Sequence, residues 1–176
     1  MSEWSVLGSE TTLQIPRGLK DMPPLAFDVK DIFRVLARTQ EVKTVNPASY
    51  ASLVADFNQA RVQLNRLIGL VDIELREAKN GLKLTKAVSL LESADAFLVK
   101  KGLKPTADYR EAAVLTDPEV QEAIRREDSL TAISEYVKSL KDDMDRAYFS
   151  AKQICEMVSK DPYARKATGE EDNKYE

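Results

Sequence analysis

The sequence predicts an all-α, elongated protein. Two long runs of apolar residues at alternating spacings of three and four, and the lack of any stretch with clean strand-type alternation, predict it. The first run is Tyr50, Leu53, Phe57, Ala60, Leu64, Leu67, Val71 and Ala78, interrupted at Glu74 and widened by Val54, Ile68 and Leu75. The second is Leu130, Ile133, Val137, Leu140, Met144, Ala147, Ala151, Ile154 and Val158. Such a seam marks a helix that packs lengthwise on another helix.

In chain order, residues 1–27 hold Gly8, Pro16, Gly18, Pro23 and Pro24 and have no sustained period. They read as an extended arm that docks through Trp4, Leu13, Ile15, Leu25 or Phe27, or else as a disordered tail. Short strands fit only here. Residues 28–160 read as a single helical domain. Val29, Ile32, Phe33 and Leu36 give a short amphipathic helix that starts near Asp28 and ends before Val42. Asn46-Pro47 pairs a cap residue with a proline at the first helical position and opens a long helix over about 47–79. Asn80-Gly81 is expected to end it, because both residues accept the left-handed conformation of a helix terminus. Gly69, within that helix, reads as a tolerated imperfection or as a close helix crossing.

A shorter helix is expected over Leu82 to Lys101, with Leu84, Ala87, Val88, Leu91, Ala94 and Leu98 as its buried stripe and Gly102 and Pro105 as its stop. Thr106 caps a further short segment carrying Tyr109, Ala112, Ala113 and Leu115. Asp117-Pro118 starts the second long helix, over 118–160, and at 1.5 Å rise per residue it spans roughly 60 Å. The remaining 161–176 form a polar tail, expected to be mobile.

The composition narrows the function. The chain has 176 residues, 43% hydrophobic and 31% charged, with a formal net charge of −3. No apolar run approaches the length of a membrane span, and no basic stretch followed by an apolar one suggests a secretion signal. The single cysteine, Cys155, cannot form an internal disulfide, which fits a reducing, intracellular compartment. There is no histidine, so the commonest general base and metal ligand is missing. The six glycines are scattered at 8, 18, 69, 81, 102 and 169, with no phosphate-binding fingerprint. No catalytic residue, metal site or cofactor is expected. Asp142, Asp143 and Asp145 read as a solvated face in which Asp142 and Arg146 stand at i,i+4; the tail acids Glu170, Glu171 and Asp172 lack a rigid scaffold; and Cys155 reads as a packed small side chain.

Charge is unevenly placed. From Arg76 to Arg110 there are eight basic residues (Arg76, Lys79, Lys83, Lys86, Lys100, Lys101, Lys104 and Arg110) against four acidic ones, a net of +4. From Glu111 to Asp161 seven basic residues meet twelve acidic ones, a net of −5. On one ideal helix over 82–101, Lys83, Lys86, Lys100 and Lys101 share a flank with Ser89 and Ser93, while Glu92 and Asp95 take the other. A lysine- and serine-lined strip suits phosphate oxygens, and Tyr109 beside it offers a face for base stacking. The same residues also fit a solvated face with an ordinary tyrosine. Arg61 and Arg66 are expected to pair with acids of the second long helix.

The stretch Thr106-Ala-Asp-Tyr-Arg-Glu-Ala-Ala-Val-Leu-Thr-Asp-Pro-Glu-Val120, with the long helix running on to Asp145-Arg-Ala-Tyr-Phe-Ser-Ala-Lys-Gln-Ile154, resembles the UvsY-like recombination mediator proteins of tailed phages. The likeness spans roughly residues 60–158. It implies a small helical homo-oligomer, a ring in that family, that binds single-stranded DNA and helps a recombinase displace single-strand-binding protein. The family's basic helix motif, a lysine and an arginine two apart, falls near Arg76 and Lys79, which here stand three apart around Glu77. The alternative from the residues alone is a phage structural or assembly adaptor that acts through helix–helix protein contacts.

Overall fold

The computed structural model describes residues 12–19, 22–38 and 49–160. Trp4, the Asn46-Pro47 cap and the tail from Asp161 lie outside the described residues, as does the side chain of Val158. The fold is all-α apart from one two-stranded sheet, β1 (Thr12–Ile15) paired with β2 (Leu25–Asp28). The helices are α1 (Lys30–Ala37), α2 (Tyr50–Glu92), α3 (Ala94–Lys100), α4 (Ala107–Thr116) and α5 (Pro118–Lys160). Helices α2 and α5 are each 43 residues long. Among the described residues no helix is long and apolar enough to cross a membrane.

The chain forms two compact units, and α2 and α5 contribute to both. One unit holds residues 28–67 and 137–160 of the described chain. Its α1 begins where Asp28 Oδ1 accepts the Lys30 N–H at 2.9 Å, and it buries Ile32 and Val35. The predicted seam is the core here: Tyr50, Leu53, Phe57, Ala60, Leu64 and Leu67 of α2 are buried, as are Val137, Met144, Ala147 and Ala151 of α5, while Leu140 and Ile154 are half-buried. Arg61 of α2 forms an ion pair with Asp145 of α5, as expected, and its guanidinium lies 4.3 Å from the centroid of the Tyr148 ring. Lys141 reaches the same carboxylate at 2.6 Å. These cations hold Asp145 below its ordinary pKa despite the opposing effect of burial, the largest single influence on it. Arg66 is exposed, and Arg146 bridges Asp143 at 3.6 Å rather than Asp142.

The second unit holds residues 13–27 and 68–136. Within it α2 and α5 run antiparallel, because Asp72 of α2 accepts from Ser134 of α5 while Ser89, further along α2, bonds Asp117 at the start of α5. The arm docks on α2 through Arg17 and Gly18, and its Ile15 is fully buried. Glu74, the polar residue in the seam, is only 4% exposed. Its Oε1 lies 3.0 Å from Arg17 Nε, and its Oε2 accepts the Gly18 N–H at 2.7 Å. A Cβ at Gly18 would fall 2.3 Å from the Glu74 carbonyl oxygen, so only glycine permits this approach. A second cluster packs Leu82 of α2, Ala94 and Leu98 of α3, Ala113 and Val114 of α4, and Val120 of α5.

Two expectations are corrected. The first long helix does not end at Asn80-Gly81: α2 continues to Glu92. Ala78 and Leu82, on either side of that pair, are both buried, so packing holds the helical conformation where local preference favours a stop. The break comes at Ser93, whose hydroxyl donates back to the Ser89 carbonyl at 2.9 Å, a bond that bends or ends helices. The stripe expected to be buried over 82–101 is buried only at Ala94 and Leu98; Leu84, Ala87, Val88 and Leu91 are exposed, Leu91 to 85%. Those four positions sit on an α2 that runs on unbroken, so their orientation is set by the core residues Ala78 and Leu82 rather than by a separate helix. Around Gly69 a Cβ would meet nothing within 4 Å, which supports tolerated imperfection over a close crossing.

The caps follow the sequence. Gly102, with φ of 72°, ends α3 as Leu103 N–H bonds the Leu98 carbonyl and Gly102 N–H bonds that of Val99, each at 3.0 Å. Thr106 caps α4 by accepting the Tyr109 N–H, and Asp117 caps α5 by accepting the Glu119 N–H at 2.9 Å.

Breaking a buried ion pair by removing one partner costs about 3–5 kcal/mol, whereas removing both charges costs far less. Arg17→Met is therefore expected to lower the urea-unfolding free energy by about 3 kcal/mol, and the double variant R17M/E74L to recover more than half of that loss. Equal losses in the two would show that the buried charge is not what the arm neutralises.

Candidate nucleic-acid interface

All nine predicted contact residues lie in the second unit. Arg76, Lys79, Lys83 and Lys86 stand on α2, Lys100 ends α3, Lys101 is its C-cap, Lys104 follows in the turn, and Tyr109 and Arg110 are on α4. Because α2 breaks at Ser93, Lys83 and Lys86 belong to a different helix from Lys100 and Lys101, and the single-helix strip predicted from the sequence does not exist as drawn.

The two serines of that strip are engaged elsewhere. Ser89, buried, donates to Asp117 Oδ2 at 2.6 Å, and Ser93 Oγ is 3.4 Å from the same oxygen. Asp117 thus brings an acid to a place expected to hold none. The Ser89 hydroxyl first, and then the Glu119 N–H, hold its carboxyl below the ordinary value of 3.8. Arg110 is also committed: its Nε and Nη2 donate to Asp95 Oδ1 and Oδ2 at 2.6 and 2.9 Å, a bidentate pair. That pairing lowers the Asp95 pKa and raises that of Arg110. Its role is to clamp α3 to α4.

The other cations are differently placed. Arg76, Lys79, Lys83, Lys86, Lys100, Lys101 and Lys104 form no ion pair among the described residues, and all but the half-buried Lys86 are exposed. Elsewhere in the chain Arg17, Arg38, Arg61 and Lys141 are all paired. Tyr109 is 47% exposed. Phe97, absent from the sequence-based set, is 42% exposed, and the Lys101 ammonium lies 5.9 Å from its ring centroid. Its place in the run Phe97-Leu-Val-Lys-Lys101 was the available signal, hidden because a phenylalanine beside a core leucine reads as core.

An open groove of about 200 Å³ lies among Gly18, Leu19, Leu82, Leu84, Glu122 and Arg126, but Arg126 faces Glu122 there and the Thr85 hydroxyl that lines it donates to the Gly81 carbonyl at 3.0 Å. Among the described residues no group of three or more acidic or cysteine side chains is placed to hold a metal ion. No family model matches the chain, and neither a curated protein nor a solved structure does.

Asp117 has its pKa depressed on folding, so its contribution is complete above 3.8 and is lost as the pH falls through the lower folded value. Asp117→Asn keeps a capping oxygen but removes the charge that favours the N-terminus of α5 and strengthens the Ser89 bond, and is expected to cost about 1 kcal/mol at pH 7. The gap between variant and parent, followed by chemical denaturation, should close below the ordinary carboxylate range. A gap that stays constant with pH would mean the carboxylate charge is irrelevant.

Proposed function

We propose that the protein is a non-enzymatic, single-stranded DNA-binding recombination mediator, a homo-oligomer that acts inside the cell, in the host cytoplasm if phage-encoded. The observation that carries this reading is the set of seven cationic side chains from Arg76 to Lys104 without a carboxylate partner among the described residues, in a chain of net charge −3. Unpaired cations on packed helices attract phosphates and release counterions when they bind, which makes affinity fall steeply with salt. The mechanism is positional: lysines of the α3–α4 turn and of the last turns of α2 hold the backbone, and multivalent contact by several copies offers a scaffold on which a recombinase displaces single-strand-binding protein. The recombinase and the single-strand-binding protein enter through the resemblance to the UvsY-like mediators.

The test is fluorescence anisotropy of a labelled oligothymidylate across a salt series. Lys100→Glu, Lys101→Glu and Lys104→Glu together are expected to weaken binding at least tenfold and to lower the slope of log affinity against log salt by about 2, given roughly 0.7 per phosphate contact on single strands. A variant that binds like the parent would remove these lysines from the interface.

One observation favours a second reading, a structural or assembly adaptor. Leu84, Ala87, Val88 and Leu91 stand at i, i+3, i+4 and i+7 on the exposed side of α2, the spacing by which one helix anchors another. If helix–helix contact is the function, the double variant L84E/L91E shifts the sedimentation-derived mass downward, and the parent binds no DNA at low salt. Unchanged mass together with DNA binding removes the adaptor reading.

A further inference from the structure

The α3–α4 turn is held at one level by the Asp95–Arg110 pair and by packing of Ala94 and Leu98 on Ala113 and Val114. Phe97 stands two residues beyond Asp95 toward the turn, and Tyr109 one residue short of Arg110 on the returning helix. Lys100, Lys101 and Lys104 lie in the segment between them. The structure thus sets two half-exposed aromatic rings on the two helices that flank one short, clamped turn, and between those rings in the chain three ammonium groups without an ion pair among the described residues. Phenylalanine has no polar atom to hold it in water, and this ring has no aromatic neighbour among the described residues. What it does have is the Lys101 ammonium 5.9 Å from its centroid, at the outer limit of a cation–π contact and so readily displaced by a better stacking partner.

We infer that Phe97, with Tyr109, is the base-stacking face of this turn, and that it selects single strands over duplex. The inference rests on the nucleic-acid reading above and names the residue that gives that reading its strand preference. Bases in a duplex already stack on one another, whereas a single strand presents free faces, and a ring flanked by cations takes a base of any identity while the lysines take the adjoining phosphates. The preference is therefore for single-stranded DNA or RNA without sequence choice.

The experiment compares a labelled 20-nucleotide oligothymidylate with a 20-base-pair duplex on the full chain and on Phe97→Ala, Phe97→Leu and Phe97→Trp. Loss of the ring is expected to weaken single-strand binding roughly ten- to hundredfold in both the alanine and the leucine variants. The salt slope and the duplex affinity should stay at the parent's values, and Phe97→Trp should retain the parent's affinity. Leucine keeps the apolar volume, so its thermal melting serves as the folding control. If the parent binds single strands and Phe97→Leu binds them equally well, the stacking role is wrong while the nucleic-acid reading stands. A fall in affinity that comes with a fall in salt slope would assign the effect to displaced lysines and would likewise overturn it. If the parent binds neither probe at low salt, both inferences fail together.

Discussion

A carboxylate placed where a helix seam needs a hydrocarbon governs much of the second unit. Glu74 occupies a core position of α2, and a charge in that setting is tolerated only when it is paired and its oxygens are bonded. The arm meets both conditions with consecutive residues, Arg17 supplying the charge and Gly18 the backbone N–H. Glycine is needed at the second position because the α2 backbone lies within contact distance of the missing side chain. Burial of Ile15 and pairing of β1 with β2 then follow from an arm already fixed at Pro16-Arg17-Gly18. One polar residue in a heptad seam is also a known device for fixing register, since any slip along α2 would strand the carboxylate in the core.

Most of the helical frame was legible in the sequence because its signals are local. Asp117-Pro118 and Thr106 act through their own side chains on N–H groups two or three residues away, so the spacing alone predicts them. The seam residues are buried because period and burial are two statements of one geometry. The interruption at Asn80-Gly81 misled for the opposite reason: a stop signal is a preference of about 1 kcal/mol, and burial of Ala78 and Leu82, each sealed by residues distant in sequence, outweighs it. The real break, at Ser93, depends on a hydroxyl that turns back along its own helix, and serine gives no warning of which partner it will take.

The candidate site was legible in charge and illegible in pairing. Composition located the basic segment, and the structure keeps seven of its cations free of ion pairs among the described residues. It could not show that Arg110 would be spent on Asp95, fifteen residues earlier, or that Ser89 and Ser93 would serve Asp117. Each of these contacts joins different helices, and a wheel drawn for one helix cannot contain them. The outcome separates two kinds of cation. Arginine, with its planar fork, is used to fasten helices together at residues 61 and 110, while lysine is left to the solvent on the α3–α4 turn.

Asp117 carries a consequence for how the second unit opens. One carboxylate caps α5 and also accepts from the last turns of α2, twenty-eight residues back in the chain. Fraying at the start of α5 would take the acceptor from Ser89, and fraying at the end of α2 would take from Asp117 Oδ2 its short hydroxyl donor, so loosening of either end weakens the other. Their amides are expected to share protection against exchange with solvent deuterium, although they stand twenty-eight residues apart in the chain. The α3–α4 segment, enclosed between these tied ends, is then a loop closed at its base, within which the Asp95–Arg110 pair holds together the two helices that carry the rings.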